Sequence, residues 1–365
     1  MHTVITDRSR HDKQPTTPSI STRVYIQWLP DPASEPTFTQ VLTSSEKFFV
    51  DIRLLRPEKK GKTEQEADPE ADPEETESEA SSPATLAGTP NSPSATARKI
   101  DWAFAGRSES WQNAETGQTQ ARWHHAVDSR FLSNPETVLD TAEMSPEDPR
   151  TGLTLEKGTM PNPATGKQTS YVEAWREPGV LHVPEASADF IESFERGLEE
   201  RGVVLVDCDP HLERSRRCEL AAPWLGQPVE NWTPGNLVWR QSPDLAFCCV
   251  LEHDNVATQS CGMVVRLGQF CQGVLQVGDQ FAAERWEWTV EFGWQKVFAS
   301  GGLDMPCDIV CFLAKGRVHA GCEVRYGGGG DQVWQCLEDE YWKCVRGESG
   351  QYAGEQFVPV TVKEE

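Results

Sequence analysis

The chain has no apolar run close to the length that crosses a bilayer, which takes about 20 consecutive apolar residues in a helix. The first residues, MHTVITDRSRHDKQPTTPS, are polar and contain no hydrophobic core of the kind that a secretory signal carries. We therefore expect no membrane insertion and no secretion. The expected location is the cytoplasm, or the nucleus as well.

Positive charge is scarce. The 365 residues include 34 Lys and Arg against 57 Asp and Glu, a formal net charge of −23. An acidic surface of this kind repels phosphate backbones and anionic lipid surfaces, so we expect no nucleic-acid partner. A protein partner is expected instead. The length favours two domains, each large enough to bury a core.

Signature motifs of catalysis are missing. The sequence contains no nucleophile elbow, P-loop, dinucleotide fingerprint or H-E-x-x-H pattern. Paired carboxylates are so common in this acidic chain that their pairing carries no information. Nothing in the sequence argues for an enzyme, and the prediction is a non-enzymatic protein.

Cysteine pairs of the zinc-binding type are also missing. The 11 cysteines are odd in number, lie between Cys208 and Cys344, and form no C-x-x-C. A disulfide-rich secreted module is short and has an even number of cysteines, and a zinc site needs close pairs. These cysteines are therefore predicted to be reduced, mostly buried thiols.

Strand patterns dominate the rest of the sequence. In TRVYIQWL, Val24, Ile26 and Trp28 fall on one face, and KFFVDIRLL alternates in the same way. A second strand-rich region begins near Leu237 and includes the apolar run DIVCFLAKG. One helix is predicted between the regions, in PEASADFIESFERGLEERG, with Gly202 as its C-terminal stop.

These patterns predict an all-β chain and its boundaries. An acidic insert interrupts the first region, and its residues 58–80 carry ten acids and three lysines, too polar to form a core. The predicted segments are a disordered tail (1–19), a first strand-rich domain (20–182) with a disordered insert (57–98), a helical or irregular linker (183–235), a second strand-rich domain (236–348), whose many short strands suggest a meander barrel or a sandwich, and a C-terminal segment (349–365).

The insert also contains hydroxyl side chains beside glutamates, in ETESEASS. Acid-directed kinases recognise such sites, and each phosphate would add a charge of about −1.5 to −2. Thr76, Ser78, Ser81 and Ser82 are therefore candidate phosphorylation sites. The alternative is an unmodified solvating loop.

Several long phrases resemble the fungal HRI-type proteins. They are STRVYIQWLP, VLTSSEKFFVDIR, IDWAFAG, WHHAVDSR, NPATGKQTSYVEAWRE and GMVVRLGQFCQGVLQVGDQFAAERWEW, and the resemblance covers roughly residues 20–56, 99–180 and 237–295. It implies two tandem lipocalin-like (calycin-type) antiparallel β-barrels with a short linking helix. It also implies a casein kinase I as partner.

The phrase ARWHHAVDSR contains adjacent histidines. Successive side chains of a strand point to opposite faces, so His124 and His125 cannot bind one metal ion, and no metal is predicted. We expect one set to face inward: Trp123, His125, Val127 and Ser129. The other set is expected to face solvent: Arg122, His124, Ala126, Asp128 and Arg130. His125 is either a hydrogen-bonded core imidazole or a haem ligand, as in barrel proteins of the nitrobindin kind.

The two regions also suggest an internal repeat, in which Glu173 and Trp175 correspond to Glu284 and Trp286. An inward carboxylate needs a cation nearby, such as Arg53 or Arg266. The pair would be a structural salt bridge or a ligand anchor; if these faces point outward, the charges are simply solvated. The candidate lumen residues are Trp102, Trp123, His125, Glu173, Trp175, Arg266, Glu284 and Trp286.

Two functions remain open at this stage. The first is a non-enzymatic interaction scaffold whose exterior binds a casein kinase I or another protein. The second is a carrier of a small hydrophobic ligand or haem in one lumen, since eight-stranded barrels either fill themselves or hold one small ligand.

Overall fold

The computed structural model is an all-β fold, as predicted. It describes residues 17–57, 98–181, 183, 188–207, 245–313, 318, 320–326 and 332–343. Residues 1–16 of the predicted tail and 58–97 of the acidic insert lie outside the described residues, and so do Thr76, Ser78, Ser81 and Ser82.

The first region forms a closed antiparallel barrel of eight strands. Each strand pairs with the next, and the last pairs with the first. Its strands are β1 (Ser19–Trp28), β2 (Thr37–Thr43), β3 (Phe48–Leu55), β4 (Ile100–Gln112), β5 (Thr119–Asp128), β6 (Asp140–Met144), β7 (Thr154–Pro161) and β8 (Gln168–Arg176).

The second region forms another antiparallel sheet of eight strands, in the order β14-β13-β12-β11-β10-β16-β15-β9. Its strands are β9 (Val204–Asp207), β10 (Leu245–Asn255), β11 (Ser260–Leu267), β12 (Phe270–Val277), β13 (Gln280–Thr289), β14 (Gly293–Ser300), β15 (Cys322–Tyr326) and β16 (Gln332–Lys343).

The prediction of a second closed barrel needs correction for the described part of the chain. There the sheet is open, with β14 and β9 at its two ends. One face packs on two helices, α1 (Ala188–Glu200) and α2 (Cys307–Leu313), in a shared core with Trp334. The helices therefore occupy the space that a lumen would need.

Two segments differ from their sequence-based interpretation. The run DIVCFLAKG, predicted as a strand, contains α2, which begins directly after Pro306. Proline is preorganised for the first turn of a helix, and a short apolar run does not by itself distinguish a strand from a buried helix. The segment interpreted as a linker contains the predicted helix α1 and also β9, an edge strand that pairs with β15.

The end of α1 follows the predicted glycine stop. Gly202 has φ of 72°, a left-handed conformation that glycine adopts without steric cost. The N–H of Val203 donates to Leu198 O at 3.0 Å, which satisfies a carbonyl at the helix end.

The barrel and the second sheet pack face to face. Val50, Ile52 and Leu54 of β3 share a buried cluster with Val265 and Val274 of the second sheet. Since the other face of β3 lines the lumen, this strand is buried on both sides.

Buried polar side chains of the second sheet also bind the barrel backbone. Arg285 donates to Ile52 O at 2.7 Å, and Gln272 donates to Val50 O at 3.2 Å. The carboxylate of Glu338 accepts from the N–H groups of Ser45 and Glu46 at 3.1 and 3.3 Å. The two sheets are therefore joined by a specific, buried interface.

Seven of the eight described cysteines are buried, as predicted. Cys208, Cys218 and Cys344 lie outside the described residues. Neither described helix is long and apolar enough to cross a membrane.

Candidate functional site

The barrel lumen contains a buried ion-pair network. Arg23 Nη1 donates to Glu173 Oε1, and Arg53 Nη1 donates to the same oxygen at 3.4 Å. Arg53 also binds Asp51 Oδ2 through Nε and Nη2 at 3.0 and 2.8 Å. Arg23 Nε donates to Glu35 Oε2 at 2.9 Å. The Glu173 carboxylate thus bridges two guanidinium groups. One of them belongs to Arg53, a cation that the sequence predicted near Glu173.

The arginines of this network remain charged. Burial lowers the pKa of Arg53, but Asp51 and Glu173 raise it by more. The guanidinium lies over the rings of Trp102 and Phe104, 4.9 and 5.4 Å from their centroids. Charge pairing and the aromatic faces together make its burial tolerable.

His125 lies on β5 with its side chain buried between two aspartates. Its Nδ1 is 2.7 Å from Asp128 Oδ2, and its Nε2 is 3.3 Å from Asp140 Oδ2. The ring stacks on Phe104 with the centroids 4.3 Å apart. Both ring nitrogens are engaged, so neither is free to bind a haem iron. This geometry is that of a hydrogen-bonded core imidazole.

Asp128 and Val127 lie on the faces opposite to those predicted. Asp128 is fully buried and accepts from Trp102 Nε1 at 2.8 Å, whereas Val127 packs in the interface with the second sheet. Ser129 Oγ accepts from the N–H of Ala103 at 2.9 Å, next to the face of β4 that packs on the second sheet.

A β-bulge explains the reversal. Ala105 pairs with Val127 and Gly106 pairs with His125, so the register skips Ala126. An extra residue in one strand of a pair reverses the alternation of faces beyond it. Trp123 and His125, before the bulge, therefore keep the predicted face, and the residues after it do not.

We expect the charge of His125 to make barrel stability depend on pH. Burial lowers the pKa of His125, but hydrogen bonds to Asp128 and Asp140 and their charges raise it above its usual value. Because the pKa is higher in the folded than in the unfolded protein, protonated His125 stabilises the fold. This stabilisation is fully present below the unfolded pKa of about 6.5 and is lost as the pH rises through the folded pKa. Replacing His125 by Gln should therefore cost most stability at low pH and progressively less in alkaline solution.

The measurement is the free energy of unfolding of both proteins in urea from about pH 5.5 to about pH 9.5. The difference between them cancels the titration of the carboxyl groups that they share. His124→Gln, on the exposed face of the same strand, is the control for the substitution itself. A pH-independent difference for His125→Gln would contradict a protonated imidazole.

The remaining lumen candidates lie among aromatic side chains. Trp102 is buried with Phe49 and Phe104, and Trp123 packs against this group while half-buried. Trp175 on β8 is buried, and its Nε1 has no hydrogen-bond partner among the described residues.

In the second sheet, Glu284 pairs with a lysine rather than with the predicted arginine. Lys296 Nζ lies 2.7 Å from Glu284 Oε1, and Trp286 Nε1 donates to Glu284 Oε2 at 2.9 Å. Arg266 instead donates to the carbonyls of Val310 and Cys311 in α2, at 2.7 and 3.2 Å. The two candidates Glu284 and Arg266 thus serve separate contacts.

The proposed internal repeat matches β8 of the barrel with β13 of the second sheet, and these two strands hold different positions in their sheets. Glu173 lies on β8, which closes the barrel against β1. Glu284 lies on β13, between β12 and β14. In the second sheet, β10 pairs with β16, the last described strand of the chain.

Sequence reasoning missed several lumen residues, above all Glu156, whereas the alternation along β8 places Tyr171 on the same face as Glu173 and Trp175. Tyr171 Oη donates to Glu156 Oε1 at 2.9 Å. Burial raises the pKa of Glu156 well above its usual value, and the charges of Glu173 and Asp140 raise it further. The alternation of β7 puts Glu156 on the same face as Gly158. In so acidic a sequence, one glutamate on a strand face does not by itself indicate a lumen residue.

Metal binding finds no support in the described ranges. They contain no group of three or more His, Cys, Asp or Glu side chains arranged to hold a metal ion.

Comparison with known proteins gives one family. The family model described as Protein HRI1 matches residues 19–218 and 223–338. No curated protein matches the chain. Among solved structures, uncharacterized protein YLR301w from Saccharomyces cerevisiae aligns with 88% of this chain and 99% of its own, at 14% identity and a TM-score of 0.49.

Proposed function

The chain belongs to the HRI1 protein family, and from that premise we propose that it is a non-enzymatic scaffold that binds a protein partner through its exterior. The observation that supports this function most is the buried charge network of the lumen. Arg23, Arg53, Glu173 and His125 are buried there and bond to one another or to neighbouring carboxylates. An apolar ligand or haem would have to displace these charged groups from their partners.

The net charge of −23 favours a partner with a basic docking surface. Electrostatic complementarity steers association and makes it sensitive to salt. Casein kinase I is the candidate that the family resemblance implies. An acid-directed kinase would also act on Thr76, Ser78, Ser81 or Ser82, which remain predictions.

The joined sheets support a rigid platform. Arg285, Gln272 and Glu338 fix the barrel to the second sheet through buried hydrogen bonds. A partner could therefore contact both sheets at once without the entropic cost of fixing one sheet relative to the other.

The test is binding of purified casein kinase I to three forms of the full chain: wild type, His125→Gln, and a form in which a short glycine turn replaces residues 58–97. Leu55 N–H donates to Lys99 O at 2.9 Å, so β3 and β4 are adjacent where the insert leaves and returns, and a short turn can join them. We expect binding in all three forms and weaker binding in high salt. The form without the insert should show the shallowest salt dependence because it lacks ten acids of residues 58–80.

Two outcomes would contradict the proposal. One is the absence of saturable binding to the wild type at low salt. The other is loss of binding in a folded His125→Gln protein, since that side chain is buried in the lumen.

A further inference from the structure

Two carboxylates face each other inside the barrel. Glu156 on β7 and Glu173 on β8 are direct cross-strand partners, and both side chains are buried, with relative exposures of 6% and 1%. Like charges directly opposite on neighbouring strands destabilise a sheet, and buried carboxylates need a counter-charge. The lumen has to provide one.

The described lumen side chains do not balance this charge. In the lumen, the buried guanidinium groups are those of Arg23 and Arg53, and protonated His125 adds one more positive charge. The buried carboxylates of the lumen are Asp51, Asp128, Asp140, Glu156 and Glu173. Negative charge remains in excess even when the imidazole is charged.

The arginines also leave oxygens without partners. They bind Glu173 through Oε1 and Asp51 through Oδ2. Glu173 Oε2 and Asp51 Oδ1 are buried and have no hydrogen-bond partner among the described residues. Such orphaned acceptors are rare in folded proteins and indicate an unseen donor.

The surroundings indicate the chemistry of that donor. Tyr171, which binds Glu156, also contacts the ring of Trp28 with the centroids 5.7 Å apart, so aromatic groups lie beside the carboxylates. The described residues offer no metal-binding group of three ligands. An alkylammonium ion carries three N–H donors and interacts favourably with aromatic faces, which a hydrated metal ion does less well.

We propose that Glu156 and Glu173 hold a small organic ammonium ion in the barrel lumen. The ion donates to Glu173 Oε2 and to the Glu156 carboxylate and lies beside Tyr171. This site is independent of the proposed scaffold function, which uses the exterior. When the site is empty, Glu156 is protonated, in keeping with its raised pKa. The ammonium ion and the proton therefore compete.

The test uses methylammonium chloride as the probe on the full-length protein, with sodium chloride at equal ionic strength as reference. We expect saturable thermal stabilisation and binding heat in the wild type at about pH 8, and weaker binding at about pH 5.5, where protons compete. Glu156→Gln should weaken binding by about tenfold or more, because it removes one charged acceptor. Glu115→Gln, an exposed carboxylate in the β4–β5 hairpin, should bind as the wild type does.

Glu156→Gln is chosen because glutamine still accepts the Tyr171 hydrogen bond and resembles the protonated acid, so the barrel should fold. Its own thermal unfolding checks this. Equal methylammonium binding in wild type and Glu156→Gln would overturn the site. Absence of any effect beyond that of sodium chloride would overturn it too, and would mean that a proton or water alone fills the gap. Neither result depends on kinase binding, so the two proposals fail separately.

Discussion

Replacing Arg23 by Met is expected to lower the free energy of unfolding by about 3–5 kcal/mol. The guanidinium binds Glu173 and Glu35 inside the barrel and also donates to Thr37 Oγ1 at 2.8 Å. Removing it leaves Glu173 buried with Arg53 as its one remaining cationic partner among the described residues. Urea unfolding followed by tryptophan fluorescence measures the loss.

Two further variants make this result specific. Arg122→Met removes an exposed ion pair with Glu109 and should change stability by no more than about 1 kcal/mol. The double variant Arg23→Met, Glu173→Gln should recover part of the loss, because it removes the carboxylate that Arg23 neutralises. A single-variant loss no larger than that of Arg122→Met would show that the network contributes little.

Gly106→Ala should destabilise the barrel by about 3 kcal/mol or more, at the upper end of the cost of overpacking. Gly106 lies at the bulge between β4 and β5, where a Cβ atom would overlap the backbone oxygen of His124. A backbone group cannot rotate away as a side chain can. The bulge would have to open, and His125 and Asp128 would then lose their common face.

The free energy of unfolding and the His125 ring signals in an NMR titration measure the two effects. Gly117→Ala is the matched control: it has φ of 69° but no atom within 4 Å of an added Cβ. It should cost only about 1 kcal/mol and leave the His125 titration unchanged. An unaltered His125 titration in Gly106→Ala would contradict the role assigned to the bulge.

Strand alternation predicted the strands of the barrel well, and it failed where a bulge interrupts the alternation. The pattern on β3 correctly puts Val50, Ile52 and Leu54 on one face, which packs on the second sheet. On β1 the register shifts between Arg23 and Tyr25, which leaves Val24 outside. Bulges depend on the partner strand, so one strand read alone does not reveal them.

The same limitation explains the partial success at the candidate site. The sequence predicted that His125 faces inward and that Arg53 lies near Glu173. Both predictions concern a residue that precedes a bulge in the pairing of its strand with β4. Arg23 was missed because the bulge in β1 brings it to the lumen, and Asp128 because the bulge in β5 does the same. The open second sheet was missed because its core helix α2 is a short apolar run that resembles a strand.

The union of barrel and sheet has a consequence for how the molecule tolerates change. The second sheet recognises main-chain groups of the barrel: the carbonyls of Ile52 and Val50 and the N–H groups of Ser45 and Glu46. Main-chain groups persist through most substitutions, so side chains of the barrel at these positions can change while the same hydrogen-bonding groups remain. The side chains that have to be kept are those of the second sheet: Arg285, Gln272 and Glu338.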